Sequence, residues 1–173
     1  KAGIAVVITL SAVYAQLVMK FTTAQTITLI LVVNITAAIG AFVFGYVQDR
    51  LGHKKTLALT ILLWIIMGVM AAFSHGPVSF WIAANIAGIA MGSSQSAGRA
   101  VVAVFAPAGE LAQFYSAWNV AVWGANVLGP ITYGTVTWLT SGDQRTAILV
   151  TTLFFVIGLL ILRRVHLPSK TVC

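Results

Sequence analysis

The densest charge in this chain lies in Gly45-Tyr46-Val47-Gln48-Asp49-Arg50-Leu51-Gly52-His53-Lys54-Lys55, between two long apolar runs. A carboxylate at Asp49 can accept hydrogen bonds from helix N-terminal amides or pair with an arginine. Gly45 lets a helix end approach a neighbour closely, and Gly52 permits a tight turn. Arg50, His53, Lys54 and Lys55 hold the segment at lipid headgroups. The plain alternative is a basic loop that only sets topology.

Two further groups carry polar chemistry inside apolar surroundings. Gln95 and Arg99 are four residues apart and so share a helix face, with Ser93, Ser94 and Ser96 beside them. Arg99 either reaches the interface by snorkelling or pairs with Asp49; Glu110 is a competing partner or an ordinary solvated carboxylate. Tyr115, Asn119, Trp123, Asn126, Pro130 and Tyr133 are separated by 4, 4, 3, 4 and 3 residues, which places them along one helical stripe. Such a stripe in lipid is expected to turn inward. Asn126, and Asn34 in an earlier apolar run, stand at mid-depth, where amides either hydrogen-bond to other helices or line a water-filled cavity. Pro130, next to Gly129, is expected to bend its helix.

Catalytic and metal chemistry find no constellation. Asp49, Glu110 and Asp143 fall at the ends of apolar runs, and His53, His75 and His166 are scattered. No metal spacing or Ser-His-Asp set can be assembled. The sequence therefore predicts no enzyme, no metal and no cofactor. Cys173 is the one cysteine, so no intrachain disulfide is possible.

The elements that position these residues follow from composition. Of the 173 residues 60% are hydrophobic and 8% charged, with a mean hydropathy of +0.99, which indicates a multi-pass membrane protein. Stretches long enough to span a bilayer run over about 2–20, 25–47, 57–74, 79–105, 111–139 and 146–162. Runs such as Ile61-Leu62-Leu63-Trp64-Ile65-Ile66-Met67 do not alternate, which excludes barrel strands and leaves a helical bundle. Gly88-Ile89-Ala90-Met91-Gly92 is a GxxxG, expected to serve close helix packing.

Lysine and arginine counting places Lys1, Arg50, Lys54, Lys55, Arg99, Arg163, Arg164 and Lys170 on one side and Lys20 and Arg145 on the other. Both termini are accordingly expected in the cytoplasm, with a multi-pass bundle over 1–164, a tail over 165–173, and the cell (inner) membrane as location. The net charge of +7 is a topology signal, and no nucleic-acid partner is expected.

The joint pattern G-x-x-x-D-R-x-G-x-K-K between two spans resembles the signature loop of the major facilitator superfamily. Gly92-Ser93-Ser94-Gln95-Ser96-Ala97-Gly98-Arg99, Pro107-Ala108-Gly109, Phe114-Tyr115 and Gly129-Pro130 resemble the C-terminal half of its unknown-major-facilitator family, relatives of autophagy-linked vacuolar effluxers. The resemblance implies an all-α membrane protein that is the six-transmembrane-helix half of a major facilitator fold, its first six helices lying elsewhere. A half-size protein that dimerises is the alternative. The resemblance further implies a gating motif of Gly45, Asp49, Arg50, Gly52, Lys54, Lys55 and Arg99, and a small-molecule solute, amino acids or peptides, carried by alternating access. Asn34, Gln95, Asn119, Trp123 and Asn126 are the candidates to line its cavity. Members often carry a lysine where Trp123 stands and an Asp-Gly pair near Ala2-Gly3. Loss of those charges favours a competing reading, a sensor or scaffold that keeps the bundle without transporting.

Overall fold

The computed structural model describes residues 22–74, 76–107 and 109–164. Five helices fill them: α1 Thr23–Leu51, α2 His53–Ala72, α3 Pro77–Phe105, α4 Leu111–Leu139 and α5 Gln144–Arg164. Six were expected. The first apolar stretch, 2–20, lies outside the described residues, as do Lys1, Lys20, His75, His166, Lys170 and Cys173.

Local chemistry sets the boundaries. Thr22 and Gln25 form a reciprocal capping box at the start of α1: the Thr22 hydroxyl accepts from the Gln25 amide at 3.2 Å and Gln25 Oε1 accepts from the Thr22 amide at 2.9 Å. Gly52 alone separates α1 from α2, with φ +79°, the left-handed region open to glycine. Its N–H donates to the Gln48 carbonyl at 2.9 Å, and its own carbonyl accepts from both the amide and the hydroxyl of Thr56. The turn read at Gly52 is therefore one residue long and fully bonded. Pro77 opens α3, where its missing N–H costs nothing. Between α4 and α5, Gly142 N–H reaches the Thr137 carbonyl at 2.8 Å and Ser141 N–H reaches that of Trp138 at 3.3 Å, a Schellman stop with Ser141 at φ 56°. Asp143 then caps α5, accepting from the amides of Arg145 and Thr146 and from the Thr146 hydroxyl.

Three helices, α1, α2 and α5, are both long and apolar enough to cross a membrane. α3 and α4 have the length, 29 residues each, but dilute their apolar residues with glycine, serine, amides and tyrosine. That dilution is concentrated in the two helices that carry most of the polar chemistry.

α3 is the centre of the packing. On one side it meets α1 at backbone distance: a Cβ added to Gly92 would lie 1.8 Å from the Ala37 carbonyl oxygen, and one at Gly40 would lie 2.6 Å from that of Ile89. Gly88 closes on Thr36 and Val33 in the same way, so the GxxxG serves packing between helices of one chain. On its other side α3 meets α2 through Trp64, which is 1% exposed. The Trp64 indole N–H donates to Ser94 Oγ at 2.9 Å, Ser94 donates to the Ala90 carbonyl at 2.6 Å, and the ring stacks on Phe155 of α5 at 5.2 Å. α5 in turn carries α4, where Tyr133 packs with Ala147. The order around the bundle is α1, α3, α2, α5, α4.

Two outcomes follow from this packing. Gly92→Ala should lower the thermal midpoint, because overpacking costs about 1–3 kcal/mol, whereas Gly158→Ala, where an added Cβ meets open space, should leave it unchanged or raise it; melting curves of the two variants in detergent check this. The hydroxyl of Thr146 holds the Asp143 carboxyl below its ordinary 3.8; desolvation opposes it, and the Thr146 and Arg145 amides and the Arg145 charge add to the lowering. Its contribution to stability is complete above 3.8 and disappears as pH falls through the lowered value. The melting-point gap between the parent and Asp143→Asn should accordingly close on acidification.

Candidate functional site

The charged hinge is built from the last turn of α1 and the first of α2. Gln48, not Asp49, takes the inward position: it is buried, and its Nε2 meets Nδ1 of His53 across Gly52 at 2.5 Å. Successive residues of a helix point about 100° apart, so burial of Gln48 turns Asp49 outward. Asp49, Arg50 and Lys55 are exposed, while Lys54 is half-buried and donates from Nζ to the Arg163 carbonyl at 3.2 Å. That contact brings the hinge to the basic end of α5. Arg145 bonds to the Ser74 carbonyl at 3.1 Å at the opposite end, as the division of charges between two sides requires.

Two expectations about the hinge are corrected. The ion pair between Asp49 and Arg99 is absent among the described residues. Arg99 is exposed at the end of α3, where its carbonyl accepts from the Tyr115 hydroxyl at 3.0 Å. Among the described residues Gly45 makes no close approach either: an added Cβ there meets nothing within 4 Å.

The stripe on α4 divides by function. Its ends fasten the helix, Tyr115 to α3 and Tyr133 to Gln144 of α5, with Tyr133 only 5% exposed. Its middle is open. Asn119 and Asn126 are exposed and Trp123 is 74% exposed, so the expected inward turn holds at Tyr133 and fails over this central part. The physical reason is that α4 is held mainly at its ends, with Gly129 and Tyr133 its buried residues. Pro130 lies inside α4 and has no N–H to give the carbonyl of Asn126, four residues earlier. Asn126 thus presents both a side-chain amide and a carbonyl deprived of its usual helical donor.

Asn34 and Gln95 are exposed on α1 and α3, and Asn34 Nδ2 is satisfied by the Ile30 carbonyl of its own helix at 2.8 Å. Ser93 and Ser94, read as hydroxyls beside a site, are buried and bonded to the Ala90 carbonyl. They belong to the packing of α3. The Gln48 to His53 contact and the Lys54 to Arg163 contact were not read from the sequence. The first had a signal, two polar residues flanking a one-residue turn. The second joins residues 109 apart and had none.

The exposed surface of α1 and α4 is largely aliphatic, interrupted by Asn34 on α1 and by Asn119, Trp123 and Asn126 on α4, with a basic hinge at one end. The sequence profile of vacuole effluxer Atg22-like proteins matches residues 1–172. A Bacillus subtilis protein named as an uncharacterized MFS-type transporter, YxiO, is 27% identical over 169 residues, which are 98% of this chain and 39% of that protein. A Haemophilus influenzae protein, named as a candidate metabolite transport protein, is 33% identical over 133 residues, 75% of this chain and 32% of its own length. The chain spans about two fifths or less of these relatives. Its apolar helices and these relatives make it an integral membrane protein. With a match from its first residue to all but its last, the chain belongs to the vacuole effluxer Atg22-like family of the major facilitator superfamily.

Proposed function

We propose that this chain is the C-terminal six-helix half of a secondary active transporter that moves a small solute across the membrane by alternating access. The observation that carries the reading is the open middle of α4, where Asn119, Trp123 and Asn126 meet no partner among the described residues. Unbonded amides and a proline-freed carbonyl are costly against hydrocarbon, so a span keeps them where another protein surface or water receives them. A second six-helix half, with a central aqueous site between the halves, supplies both. Asn34 and Gln95 add exposed amides on α1 and α3. α2 and α5 carry no amide on their exposed surfaces and suit contact with lipid tails.

The hinge fits the gate of such a machine. Gly52 holds a one-residue junction between α1 and α2, and burial of Gln48 leaves Asp49 pointing outward, where the other half can provide its cationic or helix N-terminal partner. Both ends of this half then lie in the cytoplasm of the cell (inner) membrane, since the hinge and the end of α5 share the basic side. Amino acids or peptides are the solute class, on the family resemblance. No carboxylate stands inside a described helix away from its ends, so a coupling proton or ion would be bound by groups of the other half.

The experiment is uptake and efflux by the full-length protein in liposomes, with pooled labelled amino acids and small peptides, with and without a pH gradient. Asp49→Asn should lower the maximal rate about tenfold, the consequence of a bias of ~1.4 kcal/mol between inward and outward states. Asn126→Ala should raise the half-saturating solute concentration several-fold, roughly what one lost hydrogen bond of ~1 kcal/mol produces. Unchanged kinetics in both variants would remove the site assignment. Absence of flux for every pool, with the protein folded and inserted, would favour the sensor or scaffold.

A further inference from the structure

The basic ends of α2 and α5 enclose a groove of about 490 Å3. Its walls are leucines, Leu59 and Leu62 from α2 facing Leu159 and Leu162 from α5, and its rim is Lys54, Lys55 and Arg163. Leu59 and Leu62 are exposed, so apolar surface lies open directly beneath three cations.

Among the described residues no carboxylate pairs with any of the three. Lys54 is pinned by its bond to the Arg163 carbonyl, which fixes one ammonium at the rim. α2 begins at His53 with no side-chain cap and no acidic residue in its first turn, so the positive end of its dipole adds to the lysines. Both helices are long and apolar enough to cross a bilayer, which sets this rim at headgroup depth and the leucines at the depth of the upper acyl chain. A soluble anion would answer the rim and leave the leucines uncovered. A zwitterionic lipid would cover the leucines and leave the cations unneutralised.

We propose that the groove between α2 and α5 is a binding site for one anionic phospholipid, its headgroup phosphate held by Lys54, Lys55 and Arg163 and an acyl chain laid between the two pairs of leucines. The site is separate from the open face of α4 and does not depend on the transport reading.

The test is native mass spectrometry of the delipidated full-length protein incubated with equal amounts of dioleoyl phosphatidylglycerol and dioleoyl phosphatidylcholine. The glycerol lipid should be retained in preference by about fivefold or more, and each rim cation removed should lose about fivefold, the worth of one basic residue at a charged headgroup. The double variant Lys55→Gln, Arg163→Gln should cut the preference at least fivefold, while Arg164→Gln, outside the groove, should leave it intact. Equal retention of the two lipids, an unchanged preference in the double variant, or an equal loss in Arg164→Gln would overturn the proposal. Should the double variant fail to fold, Leu159→Trp keeps every cation and fills the groove; it must reduce retention, and unchanged retention sinks the idea. Displacement by water-soluble glycerophosphoglycerol would assign the rim to a free phosphodiester instead. Retention that arises only after removal of residues 165–173 would make the tail the occupant.

Discussion

Helices in lipid gain nothing from hydrophobic burial against one another, since the tails outside are as apolar as the leucines inside. Association rests on closeness, and in this chain that closeness is the meeting of α1 and α3 backbones at Gly40, Gly88 and Gly92. No side chain larger than hydrogen fits at these points without moving a carbonyl. Once α3 is seated there, its opposite face is committed to α2, where Trp64 inserts between Ser94 and Phe155 with its one donor satisfied. The buried polar side chains of the described bundle are all bonded, which this environment demands.

A scaffold held so tightly at α1, α3, α2 and α5 leaves α4 as the exception. It is long and anchored by tyrosines toward its two ends, and it carries an open middle of amides, tryptophan and a proline-freed carbonyl. The low apolar content of α3 and α4 has separate origins: α3 trades apolar bulk for glycine and serine to pack closely, and α4 trades it for the amides and tyrosines of its stripe. On the proposed transport reading, rigid support beside an incompletely partnered helix is what a moving interface between two halves needs. The hinge obeys a similar division, with Gln48 and Lys54 spent on holding the turn and Asp49 left outside.

Much of this was legible in the residues. Apolar runs of spanning length correspond to the five described helices, and the breaks between them carry the expected signals, Gly52 at positive φ and Pro77 at a first turn among them. The GxxxG was read as a packing element, and it is one. The polar residues were harder. Ser93 and Ser94 looked like part of a site because a hydroxyl has the same letter whether it bonds to the preceding turn or to a ligand. Arg99 and Asp49 looked like partners because both close neighbouring runs, but a helix face cannot be assigned from a boundary alone.

By itself, then, the sequence determined that this is a helical membrane protein, where its turns fall, which end is basic, and which family its hinge resembles, because hydropathy, glycine and proline act locally and need no neighbour to be read. Only the tertiary structure decided that Gln48 faces inward and Asp49 outward, that Lys54 meets the last turn of α5, that the stripe on α4 is buried at Tyr133 and open at Trp123, and that leucines of α2 and α5 line a groove beneath cations. Each of these is a relation between faces of different helices. Rotation of one helix against another is set by side chains that meet across the interface, far apart along the chain.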